Sequence, residues 1–317
     1  MREFDGAEAF AGALRNRHRR FPGRDDPRSR DAMLVPGLSP GFTLAPGEGV
    51  FTIGSCFARN VEKALLAHGL SVPTAAFTAP EEEAPGQPNR LLNQYNPGTM
   101  LQCLEDLEVP LGARALYEAG PGMVLDALLA TGGRPVARAR ALARRQEIRT
   151  LYARGLSVCS TVVVTLGLVE AWFDRADGLY LNEAPGRAVL NAHPGRFVFR
   201  QLGPAECRSL LDALLARLLE RDRRVLLTVS PVPLQATFAG GDAICRNAYS
   251  KAVLRVVAEE AARDHPRVDY FPSYEMVTSA GLTAYGEDQV HVRPRVVDQV
   301  IATMTAAYAP GQPAAAE

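Results

Sequence analysis

Short, continuous apolar runs alternate along this chain with segments whose apolar residues recur every three or four positions. The runs at 49–54, 160–166, 224–230 and 268–271 are rich in β-branched, aliphatic and aromatic residues and predict strands buried on both faces. The periodic segments predict helices. After the first strand, Phe57, Val61, Ala64 and Leu65 keep helical spacing, and Gly69 stands where a C-terminal cap falls. Leu210, Leu211, Leu214, Leu215, Leu218 and Leu219 mark an amphipathic helix between 204 and 221. Further helices are expected over 99–107, 247–263 and 296–308, with weaker strand patterns at 70–73 and 197–199 and a loop at 79–88.

Residues 112–156 are rich in Ala, Leu and Arg, with glycine breaks at 120–122 and 132–133, and are expected to form helices that insert into or cover the core. Strands alternating with helices imply an α/β domain with a doubly wound, mainly parallel sheet. That domain spans 49–310. Residues 1–48, with many Arg, Pro and Gly, read as an arm that wraps the domain or is partly disordered, and 311–317 as a disordered tail.

Composition narrows the function more than the fold. With 35 basic and 35 acidic residues the net charge is zero, so no global field draws the chain to nucleic acid or an anionic membrane; a neutral or small substrate is the default. The Arg-rich stretches at 15–30 and 138–149 read as solvated faces. The N-terminal residues lack the apolar core of a secretory signal, and no run approaches membrane-spanning length, so a cytoplasmic protein is expected. Five cysteines without CxxC or Cys/His ligand spacing indicate neither a disulfide framework nor a metal site, and no organic cofactor is signalled.

In an open parallel sheet, ligands bind beyond the carboxyl ends of the strands. The polar residues there are few: Ser55 and Cys56, Asn93 and Asn96, Thr165, Gly167, Glu170 and Trp172, Ser230, the 273–275 segment, and Asp288 with His291. Ser55 lies on a strand-to-helix turn. It is either an N-cap whose hydroxyl satisfies a backbone N–H, or a nucleophile, which needs a His to accept its proton and a carboxylate to hold the His tautomer. Asp288 and His291, three residues apart before the last helix, can supply both. Cys56 is a rival nucleophile because a helix N-terminus can lower a thiol pKa, with buried packing as its alternative. Ser230, Ser250 and Lys251 have no base placed near them by the sequence.

The hexapeptide Ile53-Gly54-Ser55-Cys56-Phe57-Ala58 is the signature of the GSCFA family, which resembles the SGNH (GDSL-like) hydrolases. Segments 95–99, 165–172, 229–233 and 270–275, with Asp288 and His291, look similar to that family too, so the resemblance spans 50 to about 300. It implies a flavodoxin-like three-layer α/β/α sandwich in which Ser55 attacks, His291 is the base and Asp288 its orienter. It also implies an oxyanion hole built from the nucleophile's N–H, a glycine N–H of a second block and an asparagine of a third. Gly98 or a neighbour in 93–99 would be the second-block donor. The third block, however, reads Gly167-Leu168-Val169-Glu170 without the asparagine, leaving Asn96 or Asn93 as its substitute or the hole weaker. Glu170 is assigned to substrate hydroxyl binding or positioning, since an ionised carboxylate cannot donate to an oxyanion. Trp172 packs, or stacks on a sugar or acyl group.

The expected activity is therefore ester hydrolysis or acyl transfer on a small-molecule or carbohydrate-linked ester, with an acyl donor as a possible second partner. The alternative is a non-catalytic binding or biosynthetic accessory module that keeps the fold.

Overall fold

The structure, a computed structural model, describes residues 2–30 and 32–310; the tail expected at 311–317 lies outside the described residues. Helix α1 (Gly6–Arg15) and the short strands β1 (Ser29–Arg30) and β2 (Met33–Leu34) belong to the arm. The domain opens with β3 (Val50–Gly54), α2 (Cys56–Ala67) and α3 (Pro97–Glu108), followed by β4 (Leu116–Glu118), β5 (Met123–Asp126), β6 (Val136–Ala137) and α4 (Arg138–Val158). Next come β7 (Thr161–Leu166), β8 (Glu170–Asp174), β9 (Leu179–Leu181), α5 (Arg187–Ala192), β10 (Phe197–Gln201) and α6 (Pro204–Leu218). The chain closes with β11 (Arg224–Val229), α7 (Ala243–Asp264), β12 (Val268–Tyr270), α8 (Ser273–Ser279) and α9 (Pro294–Tyr308).

The four apolar runs form one parallel sheet in the order β12-β11-β7-β3. Successive strand residues face opposite sides, and the two sides are covered by different helices. Phe51, Ile53, Val162, Val164, Leu166, Val225, Leu227 and Val229 pack with residues of α3, α4, α6 and α7. Val50, Val163 and Leu226 pack with Phe57, Val61 and Leu65 of α2, Met276 of α8 and Val297, Val300, Ile301 and Met304 of α9. The result is the expected α/β fold in three layers, with strands that lack alternation because both faces are dry.

The arm is anchored on the α9 side. Met33 and Leu44 join that core layer, and the Leu44 N–H donates to the Tyr308 carbonyl. The Gly41 N–H binds Asp269 at 2.7 Å. By contrast, α1 buries none of its side chains.

Three local expectations change. Residues 112–137 are not helical: β4, β5 and β6 form an antiparallel meander, turned at Gly120 and Gly122 with φ of 134° and 72°, and helix begins only at Arg138. Strands this short carry too few alternations to stand out from a helix-favouring composition. At 70–73 only Ser71 bridges, to Gly49, before a 3-10 turn at Pro73–Ala76. The strand expected at 197–199 does form, but in a separate antiparallel sheet, β10-β8-β9.

Candidate active site

The site is built where β3 ends. Gly54 stands opposite Thr165 of β7, with φ of 145°, and a Cβ there would come within 2.4 Å of the Thr165 carbonyl oxygen. Only glycine lets the strand end this close to its neighbour. The Ser55 N–H then donates to the Thr165 carbonyl at 3.3 Å, and α2 starts at the next residue. On the open edge of β3, the Gln94 N–H donates to the Gly54 carbonyl at 2.8 Å, which lays the 93–95 loop beside the serine. The Leu168 N–H donates to the Tyr95 carbonyl at 2.7 Å and closes the turn after β7 over the same loop.

Ser55 occupies the N-cap position of α2 but makes no capping hydrogen bond. The residue is 3% exposed and its Oγ has no hydrogen-bond partner among the described residues. Leaving a buried hydroxyl unpaired costs about 1–3 kcal/mol, and an ordinary N-cap would have removed that cost. The capping explanation of this serine therefore fails.

Ser55 lies in a cleft of about 590 Å³ whose walls include Cys56, Asn93, Tyr95, Gly167, Leu168, Ser230, Leu234, Val290 and His291. That is the size of a small-molecule site. His291 is carried by a tight hairpin: the Gly286 N–H donates to the His291 carbonyl, Tyr285 bridges Val292, and Gln289 turns with φ of 55°. Asp288 holds it, with Oδ1 accepting the Val290 and His291 N–H groups at 3.0 Å and Oδ2 at 2.5 Å from His291 Nδ1. The bond from His291, then the two backbone N–H groups, lower the Asp288 pKa to about 2, so its carboxylate is ionised at neutral pH. The Tyr285 hydroxyl donates to the Pro231 carbonyl at 3.1 Å and ties the hairpin to the loop after β11. The imidazole is 73% exposed and makes no hydrogen bond to Ser55; it lines the cleft without closing on the serine.

The proposed oxyanion and substrate residues divide in two. Asn93 and Gly167 line the cleft. Asn93 Oδ1 is buried without a partner while the rest of its amide serves the Tyr95 hydroxyl; a half-turn of the amide would offer N–H to the same space. Gly167 has to be glycine, because a Cβ would meet the Tyr95 carbonyl oxygen at 2.6 Å and Ser55 Cβ at 3.4 Å.

Asn96, Gly98, Glu170 and Trp172 do not line the cleft: Asn96 and Gly98 are not placed there as oxyanion donors, and of the alternatives for Glu170 and Trp172 the structure shows positioning and packing. Asn96 caps α3, accepting the Thr99 N–H at 3.0 Å and donating to the Leu181 carbonyl at 3.1 Å. Gly98 lets α3 approach Tyr180, whose ring a Cβ would meet at 2.3 Å. Glu170 accepts from the Thr237 hydroxyl at 2.6 Å and the Phe238 N–H at 3.2 Å, so it positions the loop that carries Leu234 and Gln235 into the cleft wall. Trp172 packs edge-on against Phe199 and Phe238.

One residue of the site escaped sequence reasoning, and two considered there only as possible nucleophiles serve as supports. Asn182 clamps the 93–99 loop, with Oδ1 accepting the Tyr95 N–H and Nδ2 donating to the Asn93 carbonyl, both at 2.8 Å. Nothing in the sequence marks it. Behind the 167–169 turn, Ser250 Oγ accepts the Val169 N–H at 3.0 Å and Lys251 Nζ donates to the Gly167 carbonyl at 2.8 Å. Lys251 is fully buried, and desolvation lowers its pKa to about 7, an effect the nearby Cys56 sulfur partly opposes. A signal for it does exist, since Lys251 falls on the apolar stripe of Leu254, Ala258 and Ala261.

Burial raises the Cys56 thiol pKa, although the Lys251 charge and the Phe57 and Cys56 backbone N–H groups pull it down. A thiol kept protonated is a poor nucleophile. Among the described residues, no group of three or more His, Cys, Asp or Glu side chains is placed to hold a metal ion, and no helix is long and apolar enough to cross a membrane.

Compared with known proteins, residues 49–304 match the model of the GSCFA family. No curated protein and no solved structure matches the chain.

Proposed function

The chain belongs to the GSCFA family, and from that premise and the cleft we propose that it is a serine-dependent ester hydrolase or acyltransferase of the SGNH type. The observation that carries the reading is the buried Ser55 hydroxyl, which has no hydrogen bond, does not cap its helix, and shares a cleft with an Asp-held imidazole.

In the proposed reaction Ser55 Oγ attacks the acyl carbon of a small-molecule or carbohydrate-linked ester while His291 Nε2 takes the hydroxyl proton. Asp288 keeps the other ring nitrogen protonated and stabilises the imidazolium. The oxyanion is met by the Asn93 amide and the Gly167 N–H, since the Ser55 N–H expected there is held by the Thr165 carbonyl; such donors matter because charge develops there only in the transition state. His291 returns the proton to the departing alcohol and leaves an acyl group on Ser55. Water or an acceptor alcohol, deprotonated by His291, then releases it. Because the imidazole stands open, the 285–293 hairpin has to close toward Ser55 once the substrate fills the cleft. Five cysteines without a disulfide suit a cytoplasmic setting.

The open triad also favours a second reading, a binding module whose catalysis has lapsed. One experiment separates the two: intact-mass analysis after exposure to a fluorophosphonate, with the modified peptide mapped. Labelling at Ser55 that is lost in Ser55→Ala and slowed in His291→Asn supports the esterase. Labelling at Cys56 moves the chemistry to the thiol, and no labelling of folded protein leaves the binding module.

A further inference from the structure

One end of the cleft holds positive charge that forms no ion pair among the described residues. Arg90 and Gln87 line it beside the Gly132 turn. Arg90 is half-buried, yet among the described residues its guanidinium makes no hydrogen bond or ion pair. Arg134, also without an ion pair, comes to the same turn from the rim. The point where a Cβ on Gly132 would stand is 3.3 Å from Arg90 Nη2 and 3.5 Å from Arg134 Nη1, so the two nitrogens lie within about 7 Å of each other, a separation at which like charges repel.

Other arginines of the 131–149 region are paired. Arg140 and Arg144 of α4 bind Glu83, and Arg145 binds Asp126. The acid at this end of the cleft, Glu183, is committed elsewhere: its oxygens accept from the Thr131 hydroxyl and the Gly132 and Gly133 N–H groups. Glu183 thus fixes the turn against which the arginines rest and forms an ion pair with neither. Two unpaired guanidiniums, Arg90 on the cleft wall and Arg134 beside the same turn, match a planar or tetrahedral oxyanion, which the arginine fork binds through paired N–H donors.

We propose that the substrate of this cleft is an anionic ester, whose carboxylate, phosphate or sulfate group is bound between Arg90 and Arg134 while its acyl carbon lies at Ser55. This rests on the serine-ester reading for the reacting end and replaces the neutral substrate expected from the net charge. A zero overall charge does not describe a cleft.

The test measures anion binding directly, by calorimetry on the full chain, so that it does not depend on turnover. Glutarate probes the carboxylate, glycerol phosphate the phosphate and sulfate the sulfate, with glycerol as the neutral control. Saturable binding of at least one anion is expected, and not of glycerol. Arg90→Gln should weaken it about 10- to 100-fold, as loss of a charge-assisted pair predicts. Arg90→Lys should recover part of the loss, and a melting curve for each variant checks that it folds. The second arm asks whether the bound anion slows fluorophosphonate labelling of Ser55. No anion binding, or equal affinity in wild type and Arg90→Gln, overturns the proposal. Anion binding without any Ser55 labelling would instead retain the anion site and remove the esterase.

Discussion

Replacing Lys251 by Met should change how stability depends on pH. The amine is fully buried behind the 167–169 turn, and among the described residues its one hydrogen bond is to the Gly167 carbonyl and no carboxylate pairs with it. Its pKa falls from 10.5 to about 7, which at about 1.4 kcal/mol per unit separates its charged and neutral forms by roughly 5 kcal/mol. Between about pH 7 and 10.5 the unfolded chain holds a proton that the folded chain has released. Stability therefore rises with pH through that window, by at most about 1.4 kcal/mol per unit, and is flat below it, where both states are protonated.

In Lys251→Met this dependence disappears, at the cost of about 1–3 kcal/mol for a carbonyl left without its donor. Urea unfolding of both proteins, followed by far-UV circular dichroism, should show wild type gaining about 2 kcal/mol on the variant from pH 7.5 to 9. The thiols of Cys103 and Cys207, which burial raises to about 12, act in the opposite direction but are common to both proteins and cancel. A difference that stays constant with pH would refute the argument, because it would mean the amine is hydrated or paired in solution.

Further substitutions test the site's construction. Gly54→Ala forces a side chain into a positive-φ conformation 2.4 Å from a backbone oxygen and should cost about 3 kcal/mol or more in equilibrium unfolding. Asp288→Asn removes the group that fixes the His291 tautomer, and kcat/KM on an ester hydrolysed through Ser55 should drop about 10²- to 10⁴-fold with the melting temperature little changed; an unchanged rate would show that Asp288 does not orient the base. Arg59 and Glu62 of α2 form a buried ion pair at 2.5 Å, with the Glu62 carboxylate also accepting from Thr52 of β3 and from Asn89. Arg59→Met strands that carboxylate and should cost about 3–5 kcal/mol in unfolding free energy, part of which a second change, Glu62→Leu, should restore.

What the sequence by itself determined is whatever depends on local pattern. The four apolar runs became the parallel sheet because a strand buried on both faces has nowhere to place a polar residue, and that is visible in one dimension. Ser55 was legible from its place between a strand ending in glycine and a helical repeat, and Asp288 with His291 from a three-residue spacing that a single hairpin can close.

Tertiary structure alone decided what depends on partners distant in the chain. Asn93 and Asn96 look alike in sequence, yet one lines the cleft and the other caps α3 with its amide nitrogen committed to the Leu181 carbonyl 85 residues away. Glu170 became a loop anchor, and Gly98 a packing glycine against Tyr180. The convergence of Arg90 and Arg134 at the Gly132 turn was hidden for the same reason: they are 44 residues apart, and whether a charge is neutralised is a property of its neighbours in space. Hydrophobic periodicity records which side of an element faces the core. It carries no record of which two polar groups that core brings together.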